Sequence, residues 1–325
     1  MPPPPARTPL WLIDVPVVLV AVVWGSSYLA AKELATGATV AALLVLRFAV
    51  AGVGTATFAG RDIARLGGRE LRAGAGLGGI LALVLLLETY GVVHTSATNA
   101  GLIISLTMIF TPLAESAVTR TRPTGAFVGA AALSVAGVAL LTQGAGFTAP
   151  SAGDLLMLLA ALVRTAYVMA TSRLKAIRSA PSGALTAVQF AGATAVFAAV
   201  SAVTRTSPLS VAAGYTSAQW AGLLYLALAC TLFAFFVQLW AVRRTSPSRV
   251  SLLLGTEPLW AAVIGIAAGG DRPGPLGLLG GALVLIGTTW GRTAVGRRPA
   301  PRPDRPAGPA LPVQAAVNAG DSSRS

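Results

Sequence analysis

Residues 156–170 read LMLLAALVRTAYVMA, an apolar run that carries one arginine, Arg164, in its middle. Together with its neighbours this run reaches the roughly 17–25 residues that a helix needs to cross a bilayer. Comparable runs recur along almost the whole chain. The sequence therefore predicts an all-α integral membrane protein with ten transmembrane helices. The predicted spans are residues 14–33, 39–59, 72–91, 97–118, 124–142, 154–171, 183–203, 218–241, 249–268 and 274–291.

The composition also favours a membrane protein. Of the 325 residues, 54% are hydrophobic and 11% are charged, and the mean hydropathy is +0.73. A soluble protein of this length would carry about twice that charge. Outside the helical parts we expect a cytoplasmic tail at residues 1–12, an outer loop at 143–153, and a disordered cytoplasmic tail at 292–325 that is rich in Pro, Ala and Arg.

The positions of the basic residues predict how the chain is oriented. The net charge is +13, and arginines cluster in alternate connections such as residues 61–72 and 173–178. The connections predicted to lie outside hold Lys32, Arg205 and Arg272. This bias predicts a multi-pass protein of the cell (inner or plasma) membrane with both termini in the cytoplasm. Because the basic residues are scattered among short loops, we expect no nucleic-acid partner.

The two halves of the chain resemble each other. AVVWGSSYLAAKEL at residues 21–34 aligns with ALVRTAYVMATSRL at 161–174. ETYGVVHTSATNAGLI at 88–103 aligns with QLWAVRRTSPSRVSLL at 238–253. Five spans per half would place the second copy upside down, and such inverted repeats are common in secondary transporters, whose substrates bind near the midplane. The predicted five-helix repeats are residues 13–142 and 154–291.

Three stretches resemble the drug/metabolite transporter superfamily, in particular its EamA-type ten-helix branch. They are WGSSYLAAK with the following LRF, YGVVHTSATNAGLIISLTMIFTPL, and LLLGTEPLWAAVIGIAAGGDRPGPLGLLGGALVLIGT. The resemblance covers about residues 12–291 and implies the transport of small metabolites. The chain departs from the family at positions expected to face the cavity: Arg164 replaces a common aromatic residue, and Glu88 replaces a frequent neutral one. A substrate therefore cannot be transferred from the family.

Arg164 is the leading candidate for a substrate contact. An arginine near a helix centre costs roughly 2.5–3.5 kcal/mol on insertion scales, so it needs a wet or charged environment. We expect it to line a central cavity and bind an anionic group; the alternatives are that it reaches the cytoplasmic face or pairs with an acidic residue. Arg47 is expected to act either in structure or in substrate binding. The predicted substrate-binding residues are Arg164, Trp24, Tyr28, Arg47, Thr107 and Gln238.

Glu257 and Glu88 are the predicted proton-coupling residues. Burial disfavours an ionised carboxylate, so a glutamate that loses its proton when a cavity opens could couple transport to a proton gradient. The alternative is an inert ion pair with Arg47 or Arg164. Glu257 precedes Pro258, which weakens the helix and suits a hinge or a cavity.

The sequence predicts a secondary active transporter rather than an enzyme. We expect an exporter or proton-coupled carrier of a small polar metabolite, anionic or zwitterionic, that works by alternating access in the lipid bilayer. The alternative is an integral-membrane enzyme acting on a lipid-linked substrate, but the single histidine, His94, and the absence of paired carboxylates in loops argue against it. No cofactor or metal is predicted, and both a monomer and a homodimer remain open.

Overall fold

The computed structural model describes residues 11–142, 150–174, 180–244, 250 and 253–296. Within these ranges the chain is helical and contains no strand. Nearly all of the two predicted tails, and residues 143–149 of the predicted outer loop, lie outside the described residues. The helices are α1 (Trp11–Leu34), α2 (Val40–Ile63), α3 (Gly68–Val93), α4 (Ala97–Ile104), α5 (Thr107–Val118), α6 (Gly125–Leu141), α7 (Ala152–Arg173), α8 (Ser182–Val203), α9 (Pro208–Ala213), α10 (Ser217–Leu224), a π segment (Tyr225–Phe233), α11 (Ala234–Arg244), α12 (Glu257–Ala267) and α13 (Pro275–Gly296).

Seven helices of the described part are long and apolar enough to cross a membrane. They coincide with seven of the ten predicted spans, and the fourth of them combines α4 and α5, while the seventh runs from α10 through the π segment into α11. Two more apolar helices are shorter, α6 with 17 residues and α12 with 11. The protein is therefore an all-helical, multi-pass membrane protein.

The predicted span 97–118 is not one continuous helix. It breaks at Ser105 and Leu106, so α5 begins at Thr107. The Ser105 hydroxyl donates to the carbonyl oxygen of Leu102 at 2.6 Å, and the Thr107 hydroxyl donates to that of Ile104 at 2.8 Å. Both carbonyl oxygens lie next to the break. Hydrogen bonds to them satisfy backbone groups that bilayer lipid cannot satisfy, so the interruption is tolerated inside a membrane.

α12 begins in the same manner as α5. A turn at Gly255 and Thr256 precedes it, and the Thr256 hydroxyl donates to the carbonyl oxygen of Leu253 at 2.7 Å. Pro258 lies in the first turn, where its missing N–H costs nothing. The break sets Glu257 at the start of a helix within the bundle.

Helices that the sequence comparison matches to each other also pack against each other. α2 packs against α8, and α6 packs against α13. α12, whose matched helix is α5, packs instead against α4. Glycines allow several close approaches: a Cβ at Gly78 of α3 would lie 2.5 Å from the carbonyl oxygen of Gln189 in α8, and one at Gly137 would lie 2.7 Å from the backbone nitrogen of Val284. Small residues at such positions let helix backbones meet in a membrane.

The π segment between α10 and α11 was not expected from the sequence, which predicts an ordinary helix at 218–241. Its wider turns change the backbone pairing, and the carbonyl oxygen of Cys230 accepts the indole N–H of Trp24 at 2.9 Å. The Thr231 hydroxyl donates to the carbonyl oxygen of Leu226 at 2.8 Å. π segments are rare and occur frequently at functional sites. The contact between α1 and the seventh long helix is therefore a candidate position for such a site.

Candidate functional site

A cavity of about 260 Å³ lies inside the bundle, bounded by α1, α2, α3, α7, the π segment, α11 and the first residue of α12. Among the described residues, four charged side chains line it: Arg47, Glu88, Arg164 and Glu257. As formally ionised groups, two cations and two carboxylates sum to no net charge. The other lining residues are Trp24, Ser27, Tyr28, Phe48, Leu81, Val84, Leu85, Tyr167, Val168, Cys230, Thr231, Phe235 and Gln238.

Arg164 of α7 forms an ion pair across the cavity with Glu88 of α3. Arg164 Nη2 lies 2.5 Å from Glu88 Oε1, and the side chains are 31% and 9% exposed respectively. Two of the sequence-based alternatives are therefore realised together, because Arg164 lines the cavity and also pairs with a carboxylate. Removing one partner of such a pair is destabilising, because it leaves the other charge buried without a counter-charge.

Glu257 has a neutral partner instead of a cation. Its Oε1 accepts the phenol O–H of Tyr28 at 2.7 Å, and this contact joins the start of α12 to α1. The helix break before Glu257 is what brings this carboxylate to the cavity wall. The pair therefore unites one predicted substrate-binding residue with one predicted proton-coupling residue.

Arg47 of α2 is held by the π segment. Its Nε donates to the hydroxyl of Thr231 at 3.0 Å, and the guanidinium carbon lies 5.7 Å from the ring centre of Phe48. Thr231 was not singled out by sequence reasoning, since a threonine inside an apolar span is usually bonded to its own helix. Its role depends on the π segment, which no pattern in the sequence predicts.

Tyr167 is a second lining residue that sequence reasoning missed. Its phenol donates to Gln189 Oε1 at 2.6 Å, which connects α7 to α8. The sequence does contain a signal for Tyr167. It lies three residues after Arg164 and therefore on the same side of the helix. It also aligns with Ser27, another lining residue, at the repeat offset that pairs Arg164 with Trp24.

The structure does not bring Thr107 together with the other predicted site residues. It is absent from the cavity lining, and its hydroxyl is engaged by the carbonyl of Ile104 and, at 3.5 Å, by that of Ala161. The remaining seven predicted residues, namely Arg164, Trp24, Tyr28, Arg47, Gln238, Glu257 and Glu88, all line the cavity.

A groove of about 430 Å³ adjoins the cavity. Phe235 and Gln238 of α11 line both spaces. The groove lies between the end of α2, the start of α8 and α11, and reaches Asp62 and Ser182. We call this end of the molecule the basic end, because the arginine-rich segment 61–72 lies there.

The opposite end, formed by the end of α1, residues 94–96 and the start of α7, is joined by polar contacts. The Thr95 hydroxyl donates to Asp154 Oδ1 at 2.6 Å, and Asn99 Nδ2 donates to the same oxygen at 3.2 Å. Lys32 Nζ donates to the carbonyl oxygen of Thr95 at 2.6 Å. Asp154 is buried, so these contacts fasten α1, α4 and α7 together at this end.

Among the described residues, no group of three or more His, Cys, Asp and Glu side chains is arranged to hold a metal ion. The cavity instead offers charged and hydroxyl groups for a polar solute, surrounded by aromatic rings. A helical membrane bundle with such an internal site defines the class of small-molecule membrane transporters.

Comparisons with known proteins agree with this class. The model of the EamA-like transporter family matches residues 11–143 and, a second time, residues 151–290. The chain belongs to the EamA-like transporter family, within the drug/metabolite transporter superfamily. It is therefore a transporter of small molecules and not an enzyme, which confirms the family prediction and sets aside the membrane-enzyme alternative.

A curated relative and a solved structure also resemble the chain. The relative, from Streptantibioticus cattleyicolor (strain ATCC 35852 / DSM 46488 / JCM 4925 / NBRC 14057 / NRRL 8057), is named "Probable terminal-alkyne amino-acid exporter". It is 30% identical over 286 residues, which is 87% of this chain and 94% of the relative. The solved structure, described as "Crystal structure of protein", has a TM-score of 0.57 at 18% identity and covers 86% of this chain and 94% of its own. That likeness concerns the fold.

Proposed function

We propose that the protein is a secondary active transporter that exports a small zwitterionic metabolite, an amino acid, by alternating access. The observation that carries the proposal is the cavity itself, in which two arginines and two glutamates surround about 260 Å³ of space. A solute with one positive and one negative group is the natural guest of such a site. The name of the Streptantibioticus relative supports both the amino-acid class and the outward direction.

In this proposal the substrate carboxylate binds Arg164, and the substrate ammonium group binds Glu257. Arg164 has further N–H donors besides the one that faces Glu88, and a guanidinium presents its donors in a geometry that matches a carboxylate. Glu257 can exchange the phenol of Tyr28 for an ammonium group without breaking an ion pair. Trp24 and Tyr28 would border the bound solute.

Two inverted five-helix repeats, at residues 13–142 and 154–291, are proposed to supply the alternating access. The family model matches the chain twice over nearly these ranges, and matched helices pack against each other. We propose that the chain crosses the cell membrane ten times and that both termini lie in the cytoplasm, and the distribution of arginines supports this orientation. The basic end then faces the cytoplasm, and the opposite end faces outward.

The difference between α3 and its matched helix supports movement of the two repeats. At the offset that aligns 88–103 with 238–253, the π segment corresponds to residues 75–83, which are α-helical. In an inverted-repeat carrier the two access states arise when the copies exchange conformations. We propose that the π segment is the hinge of this exchange.

Glu257 is proposed to exchange a proton for the substrate. Its partner is the neutral phenol of Tyr28, whereas Glu88 is already neutralised by Arg164. The other charged group that lines the cavity is Arg47, held on Thr231. A proton and an ammonium group would compete for the Glu257 carboxylate, so that inward proton flow drives outward transport. Glu88 remains the second candidate for this role.

A ligand screen on purified protein tests the substrate class. We expect L-propargylglycine and L-norvaline to raise the unfolding temperature, while pentanoate and butylamine, which each lack one charged group, have little effect. At a hundred times its Kd a ligand adds about 2.7 kcal/mol of stability. Equal stabilisation by pentanoate would reject a zwitterion site in favour of an anion site.

The proton exchange predicts that binding of L-norvaline releases protons. In weakly buffered solution, at a pH where Glu257 is protonated in the empty protein, wild type should release close to one proton per ligand, and apparent affinity should fall as the pH is lowered. Glu257→Gln should release none. Glu115→Gln, at an exposed glutamate of α5, is the matched control. Ligand binding by wild type without proton release at any pH would exclude Glu257 as the exchanger.

We propose that the polar contacts around Asp154 keep the end opposite the basic end closed, and we expect Thr95→Val to loosen this closure. The change removes the hydroxyl that donates to Asp154 while it leaves the helix cap of α7 intact. A hydrogen bond to a charged group contributes about 1.5–3 kcal/mol, so the outward-open population should rise by tenfold or more. The background protein carries Ser27→Cys, which introduces a thiol into the cavity, and Cys230→Ser, which removes the native one. An impermeant thiol reagent is added outside, and the rate at which it labels the introduced thiol is measured.

The matched control for this closure is Thr36→Val, at an exposed threonine near the same end. It should label at the rate of the unmodified background. Equal labelling rates for Thr95→Val and Thr36→Val would show that the contact with Asp154 does not hold this end closed.

A further inference from the structure

The groove beside the cavity differs from it in chemistry. Its walls carry Phe58, Leu232, Phe235 and Phe236, and among the described lining residues the one charged side chain is that of Asp62, at the far end of the groove. Phe58 is 84% exposed and Phe236 is 66% exposed. The part of the groove that these rings line is therefore apolar, whereas the cavity beside it carries charged side chains.

The two spaces share one helical turn of α11 as part of their walls. Phe235 and Gln238, three residues apart, lie on the same face of that helix and line both spaces. Phe235 is fixed by edge-to-face contacts with Trp24 and Phe190, at ring-centre separations of 6.4 and 5.3 Å. Phe235 and Gln238 therefore form the boundary between the charged cavity and the groove.

The cavity and the groove suit different parts of a ligand. The described walls of the cavity, which encloses about 260 Å³, carry four charged side chains, and these are poor partners for a hydrocarbon chain. The groove, at about 430 Å³, offers aromatic and aliphatic side chains to such a chain.

We propose that the groove binds the side chain of the substrate, and that the substrates are amino acids with a hydrocarbon side chain. This inference rests on the proposed function, because it places the charged groups of the amino acid in the cavity. The chain passes Phe235 and lies along Leu232 and Phe236. Small residues leave it room, since Gly183 and Ala59 lie on the groove wall and a Cβ at Gly183 would only touch that of Ala59, at 3.6 Å.

A homologous series of ligands tests the proposal. The probes are L-alanine, L-norvaline, L-norleucine and L-2-aminooctanoic acid, measured for binding to the purified full-length protein. Burial of a methylene group is worth about 0.8 kcal/mol, so the affinity of wild type should rise by up to fourfold for each added methylene. Gly183→Leu should remove this dependence for the longer members, because the new side chain narrows the groove next to Ala59.

Gly60→Leu is the matched control, since Gly60 is exposed on α2 and a Cβ there would meet no atom within 4 Å. It should keep the dependence on chain length. A size-exclusion profile and an unfolding temperature that match those of wild type show that Gly183→Leu is folded. Affinities that do not rise with chain length in wild type, or a rise that Gly183→Leu leaves unchanged, would overturn the groove assignment while leaving the zwitterion site in place. Failure of every amino acid to bind would overturn the substrate class as well.

Discussion

Arg164→Gln is expected to reduce amino-acid transport by at least about 30-fold. The substitution keeps a polar side chain of similar length but removes the positive charge that is proposed to bind the substrate carboxylate. Truncation of one member of a buried, hydrogen-bonded charge pair costs about 2–5 kcal/mol, which corresponds to this factor or more. The measurement is initial uptake of radiolabelled L-norvaline into proteoliposomes. Arg272→Gln, at an exposed arginine, is the matched control and should transport as wild type does.

A second variant separates substrate binding from structural pairing. Arg164→Gln alone leaves Glu88 buried without its cation and should also lower the unfolding temperature. The double variant Arg164→Gln/Glu88→Gln removes both charges and should recover the unfolding temperature without recovering transport. Recovery of transport in the double variant would show that Arg164 serves only to neutralise Glu88.

Gly78→Leu is expected to give little folded protein. A Cβ at Gly78 would lie 2.5 Å from the carbonyl oxygen of Gln189 and 3.2 Å from the backbone nitrogen of Ala193. These are backbone atoms of α8, so the helices must separate, and overpacking costs typically about 1–3 kcal/mol even where side chains can adjust. Gln189 also accepts the phenol of Tyr167, which means that the displacement reaches the cavity wall. Detergent-extracted protein analysed by size-exclusion chromatography reports the folded fraction.

The neighbouring glycine provides the control for this packing prediction. A Cβ at Gly79 would meet no atom within 4 Å, so Gly79→Leu should be tolerated. Leucine is also the better helix former, by somewhat less than about 1 kcal/mol. Similar yields of folded protein from the two leucine variants would mean that α3 and α8 are not held in close contact at Gly78.

Much of the fold could be predicted from the sequence because a bilayer imposes a strong length and hydropathy requirement. Seven of the predicted spans appear as long apolar helices. The breaks before Thr107 and Glu257 and the π segment could not be predicted, because they leave the hydropathy unchanged. At the two breaks a threonine hydroxyl bonds to a carbonyl of its own segment, and at the π segment the indole of Trp24, from another helix, bonds to a carbonyl.

The candidate site was predictable where the residue type was itself unusual. Arginine and glutamate inside apolar spans are costly, so Arg47, Arg164, Glu88 and Glu257 stood out and line one cavity. Tyr167 and Thr231 did not stand out, because tyrosine and threonine are common in membrane helices. Thr107 shows the converse: it is polar and, when the alignment of 88–103 with 238–253 is extended, it matches Glu257, but its hydroxyl bonds to its own helix break.

Counterflow in proteoliposomes tests most directly whether this cavity carries a zwitterion across the membrane. Vesicles containing the wild-type protein are loaded with unlabelled L-norvaline and diluted into a trace of the labelled amino acid. The account predicts that label accumulates transiently above its external concentration, and that vesicles with Arg164→Gln do not accumulate it. The experiment is repeated with norleucine and propargylglycine. If, for every one of the three amino acids, the label only equilibrates as it does in protein-free vesicles, the account is contradicted.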